Sequence, residues 1–126
     1  MTKQQIVTAS APKAIGPYSQ AIQVDRMVYI SGQIPLHPET MEIVADEFII
    51  QAEQVLKNLQ AVCQAAGGDL NKIVKLTIYL TDLSCFATLN EMMQTFFHEP
   101  YPARATIQVA ALPKAAKVEV DAIMIL

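Results

Sequence analysis

The sequence predicts an α+β two-layer sandwich with the order βββαβαββ, and three observations predict it. Two segments, 47–66 and 85–97, repeat apolar residues at helical spacing, whereas the remaining apolar segments are short and mostly alternate with a period of two. Two helices of that length cover one face of one sheet. The chain has 126 residues and is 52% hydrophobic, enough to fill a core between two layers, so one domain spanning 1–126 is expected.

Residues 4–8 (Gln4 to Thr8) read as a short strand before a loop holding Pro12, and Ile15-Gly16-Pro17-Tyr18 reads as a turn. From Ser19 to Val24 the pattern alternates, with Gln20, Ile22 and Val24 on one face. Asp25-Arg26 is a two-residue connection without the favoured glycine, and Met27 to Ser31 returns as a strand that Gly32-Gln33-Ile34-Pro35 ends. A loop runs to Val44. Asp46 is the expected N-cap of a helix whose apolar stripe is Phe48, Ala52, Val55, Leu56, Leu59, Val62, Cys63 and Ala66. Glu47, Gln51, Gln54, Lys57, Asn58 and Gln64 fall mostly opposite, and Gly67-Gly68 stops the helix. Residues 73–80 set Val74, Leu76, Ile78 and Leu80 against Lys75, Thr77 and Tyr79. Ser84 is the expected cap of a second helix with Phe86, Leu89, Met93, Phe96 and Phe97 inside, which Pro100 prevents from continuing. A strand through Arg104 and a last strand, Val118 to Leu126, complete the order.

Net charge is −3 with a pI of about 5.2, and no basic cluster exceeds two residues, which argues against nucleic-acid binding. No apolar run reaches the roughly 20 residues of a membrane span, and the first residues lack the apolar core of a signal peptide, so a cytoplasmic protein is expected. Cys63 and Cys85 read as buried free thiols. His37 and His98 share no ligand spacing with them, so no metal is expected. One sheet face remains uncovered, with Ile123, Ile125, Ala105 and Tyr79 on it. A closed ring of identical subunits would cover it.

The segment with most chemical interest is Tyr101-Pro102-Ala103-Arg104-Ala105-Thr106. Pro102 stiffens its entry, and Arg104, Thr106 and Gln108 share one strand face. A guanidinium grips a carboxylate with two parallel hydrogen bonds, so Arg104 either receives a small carboxylate or pairs with a surface acid. Tyr18, Ser31 with Gln33, and Glu119 are the other polar residues in apolar surroundings. Each also has a plainer role: a turn-packing ring, a strand end, and a surface acid paired with Lys117 or Lys75. No Ser-His-Asp or Cys-His arrangement is assembled by the spacing. The polar set suits binding and water activation better than covalent catalysis.

Gly16-Pro17-Tyr18-Ser19-Gln20-Ala21, Ser31-Gly32-Gln33-Ile34-Pro35, Tyr101-Pro102-Ala103-Arg104 and Ala111-Leu112-Pro113-Lys114 with Val118-Glu119-Val120 together resemble the RidA (YjgF) family. The likeness covers essentially the whole chain, including Thr77 to Leu83 and Asn90. It implies a chorismate-mutase-like fold in a homotrimer, with the sheets forming a central barrel, the helices outside, and clefts between subunits that bind small carboxylates. It further implies 2-iminobutanoate/2-iminopropanoate deamination: hydrolysis of imines released by pyridoxal-phosphate enzymes to 2-oxo acids and ammonia, with no metal or organic cofactor. Under that resemblance Arg104 clamps the carboxylate, Tyr18 bounds the pocket and Glu119 handles the water. Ser31 and Gly32 lie near the pocket, and the Thr106 backbone polarises substrate or water. Many members carry Cys where this chain has Thr106, a change expected to be tolerated because imine hydrolysis needs no nucleophilic side chain. Two other functions are compatible with such a chain: a non-catalytic module binding 2-oxo acids, and a ribonuclease or translation inhibitor, which the acidic charge disfavours.

Overall fold

A computed structural model describes residues 2–126. Its elements are β1 (Lys3–Ile6), β2 (Ala21–Val24), β3 (Met27–Gln33), α1 (Phe48–Ala65), β4 (Ile73–Leu80), α2 (Phe86–Phe96), β5 (Ala103–Gln108) and β6 (Val118–Ile125). The expected order βββαβαββ is the observed one. The strands form one sheet in the order β1-β2-β3-β6-β4-β5. Only β4 and β5 run parallel, which is why the connection between them is long enough to contain α2. Asp25, at φ 53°, makes the two-residue β2–β3 turn in place of glycine, with Val24 opposite Met27.

Both helices lie on one sheet face. The core there is Val55, Leu56, Leu59 and Val62 of α1 and Leu89 and Met93 of α2, against Val28, Leu76, Ile78, Leu80, Val118, Val120 and Met124. The opposite face is open and apolar in part: Met27, Tyr29, Ile107 and Ile125 are all exposed. Among the described residues, no helix is long and apolar enough to cross a membrane.

Several local expectations are corrected. A bulge between Ile73 and Lys75 breaks the alternation of β4, so Ile73 enters the core and Val74 is exposed. Ala21, rather than Ile22 or Val24, is the buried residue of β2. Strand β3 continues through Gly32 to Gln33 instead of ending at Ser31. Asp46 caps nothing: Glu47 precedes α1 without a side-chain cap, and Asp46 pairs with Lys117 at 3.5 Å. Nor does Ser84 cap α2; its amide donates to Asp82 Oδ1 at 2.9 Å, and that bond holds the Asp82 carboxyl below its ordinary pKa. Phe86 and Phe96 are not deeply buried, whereas Phe97 is. Cys63 is a buried free thiol, pushed up to about 12 chiefly by burial, but Cys85 is only half-buried.

Gln51 and Asn58 of α1 are fully buried, not on a solvated face. Gln51 donates to the Ala45 carbonyl at 2.8 Å and accepts from the Lys117 amide at 2.9 Å. Asn58 donates to the carbonyls of Ile34 and Leu36, at 3.3 and 3.0 Å. A buried amide is tolerated only when its hydrogen bonds are made, and these bonds tie the loop after β3 to the helix layer.

The connection before β6 is strained. Lys114 and Ala115 both lie at φ 57°, and the Ala116 amide closes the turn on the Pro113 carbonyl at 3.1 Å. Two left-handed central residues suit glycine or asparagine far better than lysine and alanine. Ala115→Gly is therefore expected to raise stability by about 1 kcal/mol, the relief of left-handed strain less the added freedom of the unfolded chain. A urea midpoint that stays the same or falls, at matched protein concentration, contradicts this.

Candidate functional site

Arg104 stands near the start of β5, an edge strand, opposite Leu76 of β4. That register puts Arg104 and Thr106 on the helix-bearing face, beside the inward-pointing Leu76 and Ile78. The guanidinium meets α2 there: it donates to Asn90 Oδ1 at 2.6 Å, approaches Met93 Sδ at 3.4 Å and lies over the Phe86 ring, 5.0 Å from its centroid. Every one of these partners is neutral. The two ion pairs among the described residues are Lys57–Glu53 and Lys117–Asp46, so no surface acid among them pairs with Arg104. Asn90, Met93, Gln94, Tyr101, Pro102 and Arg104 line a depression of about 330 Å³. A cation positioned by an amide oxygen and an aromatic face, with no carboxylate on it among the described residues, keeps hydrogen-bond donors to offer an anion.

Glu119 lies elsewhere. It is the second residue of β6 and lies on the other sheet face, opposite Tyr79 and two residues from Asp121, which accepts from the Tyr79 hydroxyl at 2.9 Å. Burial, and then the Asp121 carboxylate, raise the Glu119 pKa above the ordinary carboxylate range. Neither Lys117 nor Lys75 pairs with it: Lys117 is held by Asp46. Glu119 borders a cavity of about 540 Å³ at the strand ends, together with Tyr18, Gln20, Gly32 and Gln33 and an apolar wall that includes Ile34, Leu36 and Met41.

The sequence places Gly32 where the Glu119 side chain must lie. The register of β3 on β6 shifts between Ile30 and Gln33, so Ser31 and Gly32 form a bulge. A Cβ on Gly32 would collide with the Glu119 carboxylate, coming within 2.9 Å of its Cδ. A glycine inside a strand commonly marks such a close approach. Gly32→Ala should push the carboxylate aside while leaving the fold intact, because what yields is the end of a flexible side chain. Under the reading of Glu119 as a base, activity is expected to fall about 10- to 100-fold, as misplacement of a catalytic group by an ångström does. A thermal midpoint that drops in step with activity would point to a folding defect instead.

Tyr18 is more than half exposed at the cavity's edge, and its hydroxyl accepts a long bond from the Ile15 amide, 3.4 Å. Gly16, at φ 114°, makes the turn that brings it there, a conformation open to glycine and strained for other residues. Ser31 points away from this cavity. Its hydroxyl donates to the Ser19 carbonyl at 2.6 Å, and it lines a shallower depression with Tyr29 and Asp121. The Thr106 hydroxyl is buried without a hydrogen-bond partner among the described residues.

Arg104 and Glu119 do not meet within one chain. They lie on opposite sheet faces, and their β4 partners Leu76 and Tyr79 are three residues apart. Strand geometry separates them by about 10 Å along the strands and about 10 Å across two strand spacings. A carboxylate ligand of a few carbons does not span both.

Sequence reasoning missed Phe86 and Asn90 as supports of Arg104, having placed Phe86 in the core. It also missed Gln20, buried at 3% exposure, as the organiser of the cavity wall. Gln20 accepts from the Thr8 amide at 2.8 Å and donates to the carbonyls of Thr8 and Pro12 at 3.0 and 2.8 Å, pinning the loop before Tyr18. The available signal was a glutamine directly preceding a strand whose neighbour is a small buried alanine.

Fold and site together define a small α+β domain whose two polar clusters, around Arg104 and around Glu119, sit at the margins of its sheet. The chain belongs to the Endoribonuclease L-PSP family, also called RidA/YjgF, whose model matches residues 8–126. A 2-iminobutanoate/2-iminopropanoate deaminase of Mus musculus is 49% identical over 98% of this chain and 91% of its own length. The crystal structure of RidA from Psychrobacter sp. PAMC 21119 is 54% identical, with a TM-score of 0.94 over 98% of this chain and 99% of that one. Escherichia coli TdcF with bound serine is 44% identical, with a TM-score of 0.91 over 98% of each chain.

Proposed function

We propose that this protein hydrolyses 2-imino acids, such as the tautomer of 2-aminoacrylate released by pyridoxal-phosphate enzymes, to 2-oxo acids and ammonia. The observation that carries this reading is the Arg104 guanidinium, fixed by Asn90 and Phe86 and matched by no carboxylate among the described residues. The name of the mouse relative and the α-carboxylate of the serine bound to TdcF both accord with it.

In the proposed reaction Arg104 holds the substrate carboxylate with two parallel hydrogen bonds, which fixes the imine carbon. Water adds to that carbon as Glu119 takes one of its protons, giving a tetrahedral carbinolamine. That proton is returned to nitrogen, and the carbinolamine hydroxyl then gives up its own proton, through Glu119, to the same nitrogen; the C–N bond breaks as the C=O bond forms, and the 2-oxo acid and ammonia leave. A raised pKa makes the Glu119 carboxylate a stronger base. Tyr18 bounds the substrate, and the backbone at Gly32 and Thr106 lies within the same proposed site. This chemistry draws on no metal or organic cofactor.

Since one chain separates Arg104 from Glu119, we propose that the working site is a cleft between copies, one supplying Arg104 and its neighbour Tyr18 and Glu119. A homotrimer with the sheets inside would bury the exposed Met27, Tyr29, Ile107 and Ile125 as it forms that cleft. An assay in which a threonine or serine dehydratase generates the imine tests the function. Purified protein is expected to accelerate 2-oxo acid release, and no acceleration at protein concentrations near that of the dehydratase would reject it. Arg104-dependent ligand binding without turnover would instead make the protein a metabolite-binding module.

A further inference from the structure

Among the described residues, and beyond Asp25 in its hairpin, the non-glycine residues held at positive φ are Met41, Lys114 and Ala115, and two of them, Met41 and Lys114, meet. Lys114 Nζ donates to the Met41 carbonyl at 3.1 Å, across 73 positions of sequence. Both residues line the cavity that Glu119 and Tyr18 border. Backbone strain persists only where surrounding structure imposes it, and it gathers at sites where a side chain must be aimed.

The strain has a definite product. Met41 belongs to a loop closed on itself by the Leu36–Ile43 bridge, by the His37 amide on the Glu42 carbonyl (2.9 Å) and by the Met41 amide on the His37 carbonyl (2.8 Å). Asn58 holds the base of that loop at Leu36, while Lys114 reaches its far side at Met41. From Gly32 the chain runs past the end of β3 through Ile34 to Leu36, so the cavity passes from the carboxylate of Glu119 to an apolar wall of Ile34, Leu36 and Met41. A three-carbon imine would fill a small part of about 540 Å³. The apolar wall is therefore where a substrate's side chain would pack, and the Lys114–Met41 bond holds that wall in place.

We propose that Lys114 is a specificity-determining residue: by holding the Met41 carbonyl it fixes the apolar wall against which the side chain of a longer imino acid packs. The inference rests on the proposed imine hydrolysis and assigns Lys114 a part in how that site ranks imino acids with apolar side chains longer than ethyl against shorter ones. Lys114 acts here through Met41 and does not touch the reacting atoms.

The test compares full-length wild type, Lys114→Met and Lys114→Arg on imines generated in situ by an L-amino-acid oxidase, with catalase removing peroxide. Leucine and methionine supply the long side chains, and 2-aminobutyrate the short one. Lys114→Met keeps the length of the side chain and removes the donor. It is expected to lower the ratio of long-chain to short-chain kcat/KM about five- to tenfold, with the short-chain value within about twofold of wild type. Lys114→Arg, which can still donate to the carbonyl, is expected to restore the ratio. A general loss of folding would depress both substrates together. An unchanged ratio in Lys114→Met, or an equal fall on both substrates, overturns the inference while leaving the proposed function standing. Failure of wild type to hydrolyse either class removes that function and this inference with it.

Discussion

Arg104→Ala is expected to lower kcat/KM for imine hydrolysis by at least about 100-fold, with a smaller loss of stability. Each hydrogen bond between a guanidinium and a desolvated carboxylate contributes about 1.5–3 kcal/mol, and two are lost. Even the lower figure, about 3 kcal/mol, exceeds a hundredfold in rate. The side chain is exposed and unpaired with any acid, so folding loses its contact with Phe86, worth about 0.5–1 kcal/mol, and its exposed hydrogen bond to Asn90, worth about as much. Arg104→Lys should fail almost as badly, because an ammonium retains the charge but not the planar fork. The dehydratase-coupled assay and a urea titration of the same preparations decide the matter. Full activity in Arg104→Lys would mean that charge alone suffices and that the bidentate grip is not used.

Glu119→Gln separates catalysis from stability in a second way. As a general base Glu119 contributes about 10²–10⁴-fold, so the amide should lose activity on that scale while still binding the carboxylate through Arg104. The wild-type rate should rise with pH as Glu119 loses its proton, with its inflection above the ordinary carboxylate range because burial and Asp121 disfavour the charge. Asp121→Asn removes the like charge and should move that inflection down. The consequence for stability has the opposite sign. A carboxyl whose pKa is raised by folding contributes stability that is fully present below its unfolded pKa and is lost as pH rises through its folded pKa. Above that window the ionised Glu119 destabilises the fold, so Glu119→Gln should be at least as stable as wild type at neutral pH. A rate that falls with rising pH through this range would show that the acid form of Glu119 is the active one.

These two variants probe residues that were visible in the sequence for different reasons. Arg104 stood out as a charged residue after a stiff Tyr-Pro entry in an apolar chain. Glu119 stood out as an acid in an alternating strand, a pattern shared by many surface residues. Their supports were less legible. Asn90 and Phe86 are one helical turn apart on α2, and nothing local says that a strand 14 residues further on brings Arg104 against them. Gln51 and Asn58 looked solvated because helical periodicity assigns a face but cannot tell a water-facing amide from one bonded to a buried loop carbonyl. Asp46 and Ser84 had the right chemistry for N-caps, but the chain enters each helix in a geometry that uses them otherwise.

The sequence by itself determined the element order, the helix-covered core and the identity of the polar residues available for chemistry. Periodicity records which side of each element must leave water, and that is a local property. Only the tertiary structure decided that β4 and β5 run parallel, that bulges reset the alternation at Val74 and at Ser31-Gly32, and that Arg104 and Glu119 face opposite ways. Those outcomes depend on register, and register is set by pairing between segments distant in sequence. A single residue of shift exchanges the two faces of a strand. The same pairing places Gly32 beneath Glu119 and Lys114 against Met41, partners that neither segment identifies by itself.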